Sequence, residues 1–196
     1  MIETKDLILR QGSADDWQDL YRNLWSRKEV FRYMFNKPSP DEETGRKRTA
    51  LYAEMHLEVK TEFFVCEKMS GKAIGIAGVK ELTPGHWTIT DIAIGPDFHN
   101  KGYGKQILFA LLKLAFEHGA TEVTYDCFAQ NTVSKQLALS CGFTYVYSAE
   151  AELMKNGEKV ILDYYKITQS MSNIGGSKCP SFQNRSTSAS LPTSGS

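Results

Sequence analysis

Three groups of residues combine chemistry with a useful spacing. His99-Asn100-Lys101-Gly102-Tyr103-Gly104-Lys105 places two glycines and two lysines directly before an apolar stretch. Asn131 and Ser134 stand three apart, ahead of Gly142-Phe143. Asp91 opens the run Ile92-Ala93-Ile94, which leads through Pro96 into the glycines. The first group suits an anion: a helix N-terminus presents backbone N–H groups with no intrahelical partner, and its aligned peptide dipoles place about half a positive charge there. Glycine lets the backbone turn tightly beside a phosphate, and lysines add charge. The second group offers a hydroxyl that can give up a proton and an amide that can cap a helix or bind a polar chain. The third is a carboxylate able to accept a proton.

The elements that must hold these groups follow from periodicity. Ile107, Leu108, Leu111, Leu112, Leu114, Ala115 and Phe116 recur at three and four, so a helix begins at the glycines and stops at His118-Gly119. Strand-like alternation over 62–68, 72–82 and 87–94, with turns at Ser70-Gly71 and Pro84-Gly85, predicts an antiparallel meander leading into the loop. A strand at 122–128, a short helix from Asn131 to Ser140 and a hairpin over Asn156-Gly157 complete the body near Ile167. Before the meander, 6–11 reads as a strand. Ser13 and Asp16 form a capping box for a helix carrying Trp17, Leu20, Tyr21, Leu24 and Trp25, and 28–35 continues in short helical pieces. Ser39-Pro40-Asp41-Glu42 predicts a helix start capped by Ser39, running to about Lys60, whose basic Arg46-Lys47-Arg48 reads as a solvated face. Residues 168–196, rich in Ser, Thr and Gly, have too little apolar surface to offset ordering entropy and are expected to be a disordered tail.

Composition narrows the partners. Lys plus Arg and Asp plus Glu number 23 each, so the net formal charge of zero makes no case for nucleic acid or an anionic membrane. The longest apolar stretch contains Lys113 and is too short to span a bilayer. Cys66, Cys127, Cys141 and Cys179 have no C-x-x-C spacing, the N-terminus lacks a signal-peptide pattern, and a cytoplasmic protein is expected. No metal is called for. The loop is also not a Walker A motif, since His99 and Gln106 stand where Gly and Ser or Thr are required, nor a dinucleotide fingerprint, since Ile107 stands where a third small residue is needed.

What the loop does resemble is the acyl-CoA loop of the GNAT superfamily of N-acetyltransferases: Arg or Gln, two residues, Gly, one residue, Gly or Ala. His99 replaces the usual first residue. The frame Asn131-x-x-Ser134-x-x-Leu137-x-x-x-x-Gly142-Phe143 resembles the family's C-terminal motif, and the order of elements over residues 1–167 is similar to the GNAT fold. The bipartite N-terminal helical region and the Pro96-Asp97-Phe98 lead resemble the ribosomal-protein N-terminal acetyltransferase branch. The resemblance implies an α+β fold with a mixed, mostly antiparallel central sheet flanked by helices, in which the fourth and fifth family strands, here 87–94 and 122–128, splay apart. It implies acetyl-CoA as acetyl donor, held by Ile92, Ala93, Ile94, His99, Asn100, Lys101, Gly102, Tyr103, Gly104, Lys105, Asn131 and Ser134. It also implies a primary amine as acceptor, on a small molecule or a protein N-terminus, attacking directly in a ternary complex of a monomer or homodimer.

Catalytic residues are harder to place. Many relatives carry a Tyr at the position of Ala138 as general acid, and its absence puts Ser134 forward as the proton donor to the CoA thiolate. Relatives often carry a Glu at positions matching Thr88 or Ile89; here neither is acidic. Asp91, Glu67, Glu81 and His86 are the candidate bases, Asp91 foremost, with water-relayed deprotonation as a further possibility. Alternation allows Asp91 to face either side of the sheet. The missing Tyr and Glu also admit a second reading, a non-catalytic acyl-CoA-binding module or sensor.

Overall fold

The computed structural model describes residues 1–153 and 157–169. In chain order its elements are β1 (Ile2–Glu3), β2 (Leu7–Arg10), α1 (Trp17–Leu20), α2 (Glu42–Glu58), β3 (Glu62–Glu67), β4 (Ala73–Thr83), β5 (His86–Ile94), α3 (Tyr103–Glu117), β6 (Glu122–Phe128), α4 (Thr132–Ser140), β7 (Thr144–Glu152) and β8 (Lys159–Thr168). The strands form a single eight-stranded sheet in the order β1-β2-β3-β4-β5-β6-β8-β7, with helices packed on its faces, so the fold is α+β. All neighbouring pairs are antiparallel except β5 and β6, which run parallel.

Two apolar clusters sandwich the sheet. On one face the long aliphatic stripe of α3 (Ile107, Leu108, Leu111, Ala115) packs on Leu7, Leu9, Val65, Ala77, Val79 and Val123. On the other, Leu20, Leu24 and Trp25 from α1 and the π-helical turn that continues it pack on Phe64, Cys66 and Ile76. Strand alternation sends consecutive residues of β3 to opposite clusters, which is why its six residues are all buried.

Local signals act as their chemistry requires. Ser13 and Asp16 form the capping box, and Arg10 braces Asp16 at 2.6 Å. Helix α2 differs from expectation: its cap is Asp41, not Ser39, with the carboxylate accepting from the Thr44 N–H at 2.7 Å, and Pro40 lies outside the helix. Ser39 is instead buried, its N–H donating to the carbonyl of Trp25 in the π-helical turn that follows α1. β1 was not anticipated; two residues without flanking periodicity leave no pattern to read. The β7–β8 hairpin pairs Glu152 with Lys159, whereas Asn156 of the expected turn lies outside the described residues. β8 runs to Thr168, one residue past the expected end of the body, and the expected tail lies outside the described residues from 170 onward.

Candidate active site

β5 and β6 are hydrogen-bonded neighbours only at His86↔Glu122, Trp87↔Val123 and Thr88↔Thr124. Beyond Thr88 they part. The gap opens into a cleft of about 180 Å³, whose walls are Ile89 to Ala93 on one side, Tyr125 to Phe128 on the other, and Tyr33 to Asn36 across its mouth. Asn131 and Ser134 of α4 reach the same cleft.

Backbone groups in the gap have no strand to pair with. Along an antiparallel ladder, successive residues point their N–H and C=O alternately toward and away from the partner. Gly95 donates to the Ile74 carbonyl at 2.8 Å across the β4–β5 ladder, and Ala93 pairs with Ile76. Ile92 and Ile94 therefore turn their amide groups toward β6, where pairing has already ended. His99 folds back so that its Nε2 meets the Ile94 carbonyl at 2.9 Å. Ile94 is left with an N–H to offer, and Ile92 with both groups.

The glycine loop adopts a shape that divides its labour. Gly102 caps α3 at φ 75°, a left-handed conformation that a side chain would strain, and a Cβ there would project into open space. Asn100 is likewise left-handed, at φ 61°. Gly104 serves packing instead, since a Cβ would come within 3.2 Å of Leu137 on α4. Of the two lysines expected to charge the anion site, one is engaged in the packing of the loop. Lys101 is ion-paired to buried Glu67 at 3.2 Å, and the buried Tyr103 hydroxyl donates to the same carboxylate at 2.7 Å. Both side chains thus tie the loop down to β3, while the Lys105 ammonium sits over the Phe109 ring. Gly102 and the Lys105 side chain are exposed.

At the other wall, the Asn131 amide oxygen accepts from the Ser134 N–H at 3.1 Å, so the side chain caps α4 and keeps its NH₂ free. Lys135 fixes this helix to β8 through Asp163 at 2.6 Å. Ser134 Oγ lies 2.6 Å from the hydroxyl of Tyr125, a buried residue of β6. Burial pushes the Tyr125 phenol up to about 12, keeping it neutral. No sequence spacing announces this pair, because it joins a strand to the helix that follows it.

The four candidate bases separate cleanly. Glu67 is spent on Tyr103, Ser70 and Lys101, and the Tyr103 hydrogen bond leads in lowering its pKa. Glu81 accepts the Gly85 N–H in the β4–β5 turn, and His86 sits exposed beside Glu122; neither lines the cleft. Asp91 does, on the face that carries α1 and α2, because a register shift between Gly78 and Val79 makes Thr90 an extra residue in β5. Burial, with the nearby Glu62 charge second, raises the Asp91 carboxyl to about 7. Asp126 of β6, raised by burial, lines the opposite wall.

Among the described residues no cluster of three His, Cys, Asp or Glu side chains is placed to hold a metal ion, and no helix is long and apolar enough to cross a membrane. Cys66, Cys127 and Cys141 are free and buried.

Comparison with known proteins places this architecture. A family model described as the acetyltransferase (GNAT) domain matches residues 6–144. A GNAT-family acetyltransferase from Bacillus anthracis superposes with a TM-score of 0.75 at 20% identity, over 86% of this chain and 98% of that one. A structure described as a putative ribosomal-protein-serine acetyltransferase from Vibrio cholerae gives 0.70 at 21% identity, over 85% and 96%. Spermidine N-acetyltransferase from Vibrio cholerae, in complex with CoA and spermine, gives 0.68 at 20% identity, over 87% and 99%. Among curated proteins nothing matches.

Proposed function

The chain belongs to the GNAT acetyltransferases, and from that premise we propose that it transfers an acetyl group from acetyl-CoA to a primary amine, on a small molecule or a protein N-terminus, in one ternary complex. The observation that carries this reading is the splayed gap, where unpaired backbone N–H groups and a neutral-range carboxylate line one cleft. The residues fit the donor: the backbone N–H groups at the N-terminus of α3, reached through the Asn100 to Gly104 turn, suit a pyrophosphate, and the Ile92 and Asn131 amides suit the polar groups of a pantetheine chain. Acetyl-CoA supplies the acyl group as an activated thioester.

Residue roles follow from position. Asp91 accepts the first proton of the acceptor ammonium, whose nitrogen then attacks the thioester carbonyl carbon. The Ile92 or Ile94 N–H donates to the carbonyl oxygen as negative charge gathers on it. Ser134 passes its hydroxyl proton to the leaving sulfur and regains one through Tyr125. Two protons leave the nitrogen in all. One goes by way of Asp91 to solvent, and the other balances the proton that ends on the thiol. The buried free cysteines suit a reducing, cytoplasmic setting.

Thermal shift and thiol release test this together. CoA at a hundred times its dissociation constant should stabilise the protein by about 2.7 kcal/mol, roughly 5 to 11 °C for a chain of this size. Gly102→Glu should abolish that shift by placing a carboxylate at the anion site, whereas Gly102→Ala, equally left-handed but uncharged, should keep most of it. Thiol release with an amine panel decides between enzyme and sensor: binding without release across the panel would favour a non-catalytic acyl-CoA sensor.

A further inference from the structure

Asp91 has a second acid beside it. Glu62 of β3 pairs across the ladder with Gly78 of β4, and Gly78 pairs with Asp91 of β5, so the three lie in one row across the sheet. Glu62 is only 7% exposed. Its carboxylate does not stay over its own strand: one oxygen accepts from the Thr90 hydroxyl at 2.6 Å, two strands away. The other lies where a β-carbon on residue 78 would have to be, as does the Thr90 hydroxyl. Glycine at 78 is therefore the opening through which a β3 side chain reaches β5. Thr90, the extra residue of the β5 bulge, is what receives it.

An unpaired acid carried this far into a sheet needs a reason, since burying a carboxylate costs free energy that a single hydroxyl does not offset. No lysine or arginine forms an ion pair with Glu62 among the described residues. We propose that Glu62 is a positioning residue, coupled to Asp91 as a carboxylate pair through the gap at Gly78, and that it fixes the protonation of the acid that meets the acceptor amine. A charge on Glu62 disfavours the ionised form of Asp91, adding to the effect of burial, so the proton on Asp91 depends on the state of its neighbour. The higher affinity for a proton makes Asp91 a base better matched to an ammonium than a free carboxylate would be.

The other titratable groups around this spot are few. Tyr52 of α2 faces Asp91, burial first and the Asp91 charge second raising its phenol to about 12, with Arg48 beside it acting the other way. Lys80, two residues along β4 from Gly78, favours the ionised form of Glu62, against the dominant effect of burial. Tyr33 and Asp126 line the cleft beyond. None of these is a carboxylate in the same row.

The inference rests on the reading of Asp91 as the base, so its test must separate the two. The Asp91 side-chain carboxyl carbon is titrated by NMR in the full chain, assigned by its loss in Asp91→Asn, alongside the pH profile of kcat/KM. Glu62→Gln keeps the shape and the acceptor for Thr90 while removing the charge. The Asp91 midpoint should fall by about one pH unit, and the acidic limb of kcat/KM should move to lower pH with it. Thr90→Val, which removes the tether, should shift both in the same direction by less, and serves if Glu62→Gln fails to fold. An Asp91 midpoint that stays in place in both variants overturns the pair. A midpoint that falls while the kcat/KM limb stays fixed upholds the pair and removes Asp91 as base.

Discussion

The two faces of the central sheet are built on different rules. The α3 face is largely apolar, filled by the aliphatic stripe of α3 and the inward residues of β2 to β6, with Glu67 held at its margin by Tyr103 and Lys101. The α1–α2 face mixes Trp25, Phe64 and Ile76 with buried Thr49, His56 and Glu62 and with Asp91. The glycine loop belongs to the first face, and the group we propose it recognises, a phosphate common to every acyl-CoA, needs only backbone. The second face holds Asp91, the group we propose meets the acceptor. Generic recognition is compatible with a dry, regular core, whereas chemistry on a variable partner requires polar groups whose burial is costly and must be individually arranged.

The difference can be broken hardest at Asp91. Asp91→Asn should lower kcat/KM by about 10² to 10⁴ while raising the thermal midpoint above pH 7, because a desolvated carboxylate is replaced by a neutral amide; a midpoint that falls instead would mean the acid is structural. Next comes His56, 1% exposed, whose Nδ1 accepts the Gly12 N–H and whose pKa burial lowers to about 4. Its folded pKa lies below its unfolded one near 6.5, so its contribution is complete above pH 6.5 and is lost as pH falls toward 4. The stability difference between wild type and His56→Gln should shrink by about 3 kcal/mol over that window, as read by denaturant titration at several pH values; a constant difference would refute the buried neutral imidazole. The smallest effect belongs to the apolar face. Gly104→Ala presses on Leu137 at 3.2 Å and should destabilise by about 1 kcal/mol, with CoA affinity within a few-fold of wild type; a tenfold loss would mean that the phosphate needs a residue without a side chain at 104.

Legibility in the sequence followed the same division. The α3 stripe, the order of strands and the capping signals at Ser13 and Asn131 could be read because periodicity and cap chemistry are local. Helix α2 was legible from its start signal rather than from periodicity, because its buried line is Gly45, Thr49, Ala53 and His56, helical in spacing but not in hydropathy. Asp41 took the cap from Ser39 because either residue type can serve and only the path from Trp25 decides between them. Lys101 looked available for an anion because its partner, Glu67, is 34 residues away. Asp91 was ambiguous for a reason that was itself a signal. Counting in twos from Trp87 and Ile89 assigns it to one face, counting back from Ile94 and Ile92 to the other, and a conflict of this kind marks a bulge. The Tyr125–Ser134 contact and the row through Gly78 are tertiary, and no local pattern encodes them.

The early end of β5–β6 pairing has one more consequence. Most sheets have their bare margins at the outside, where open backbone invites a stranger's chain and has to be blunted with charge, bulge or cover. Here the segment from Ile92 to Ile94 is a bare margin in the interior of the sheet, with β6, β8 and β7 standing beyond it like a second bank of the same river. A protein strand cannot readily dock between banks that converge at Thr88, so these amides stay open without inviting aggregation. The same margin offers its hydrogen bonds to a slender extended molecule that carries amide groups of its own.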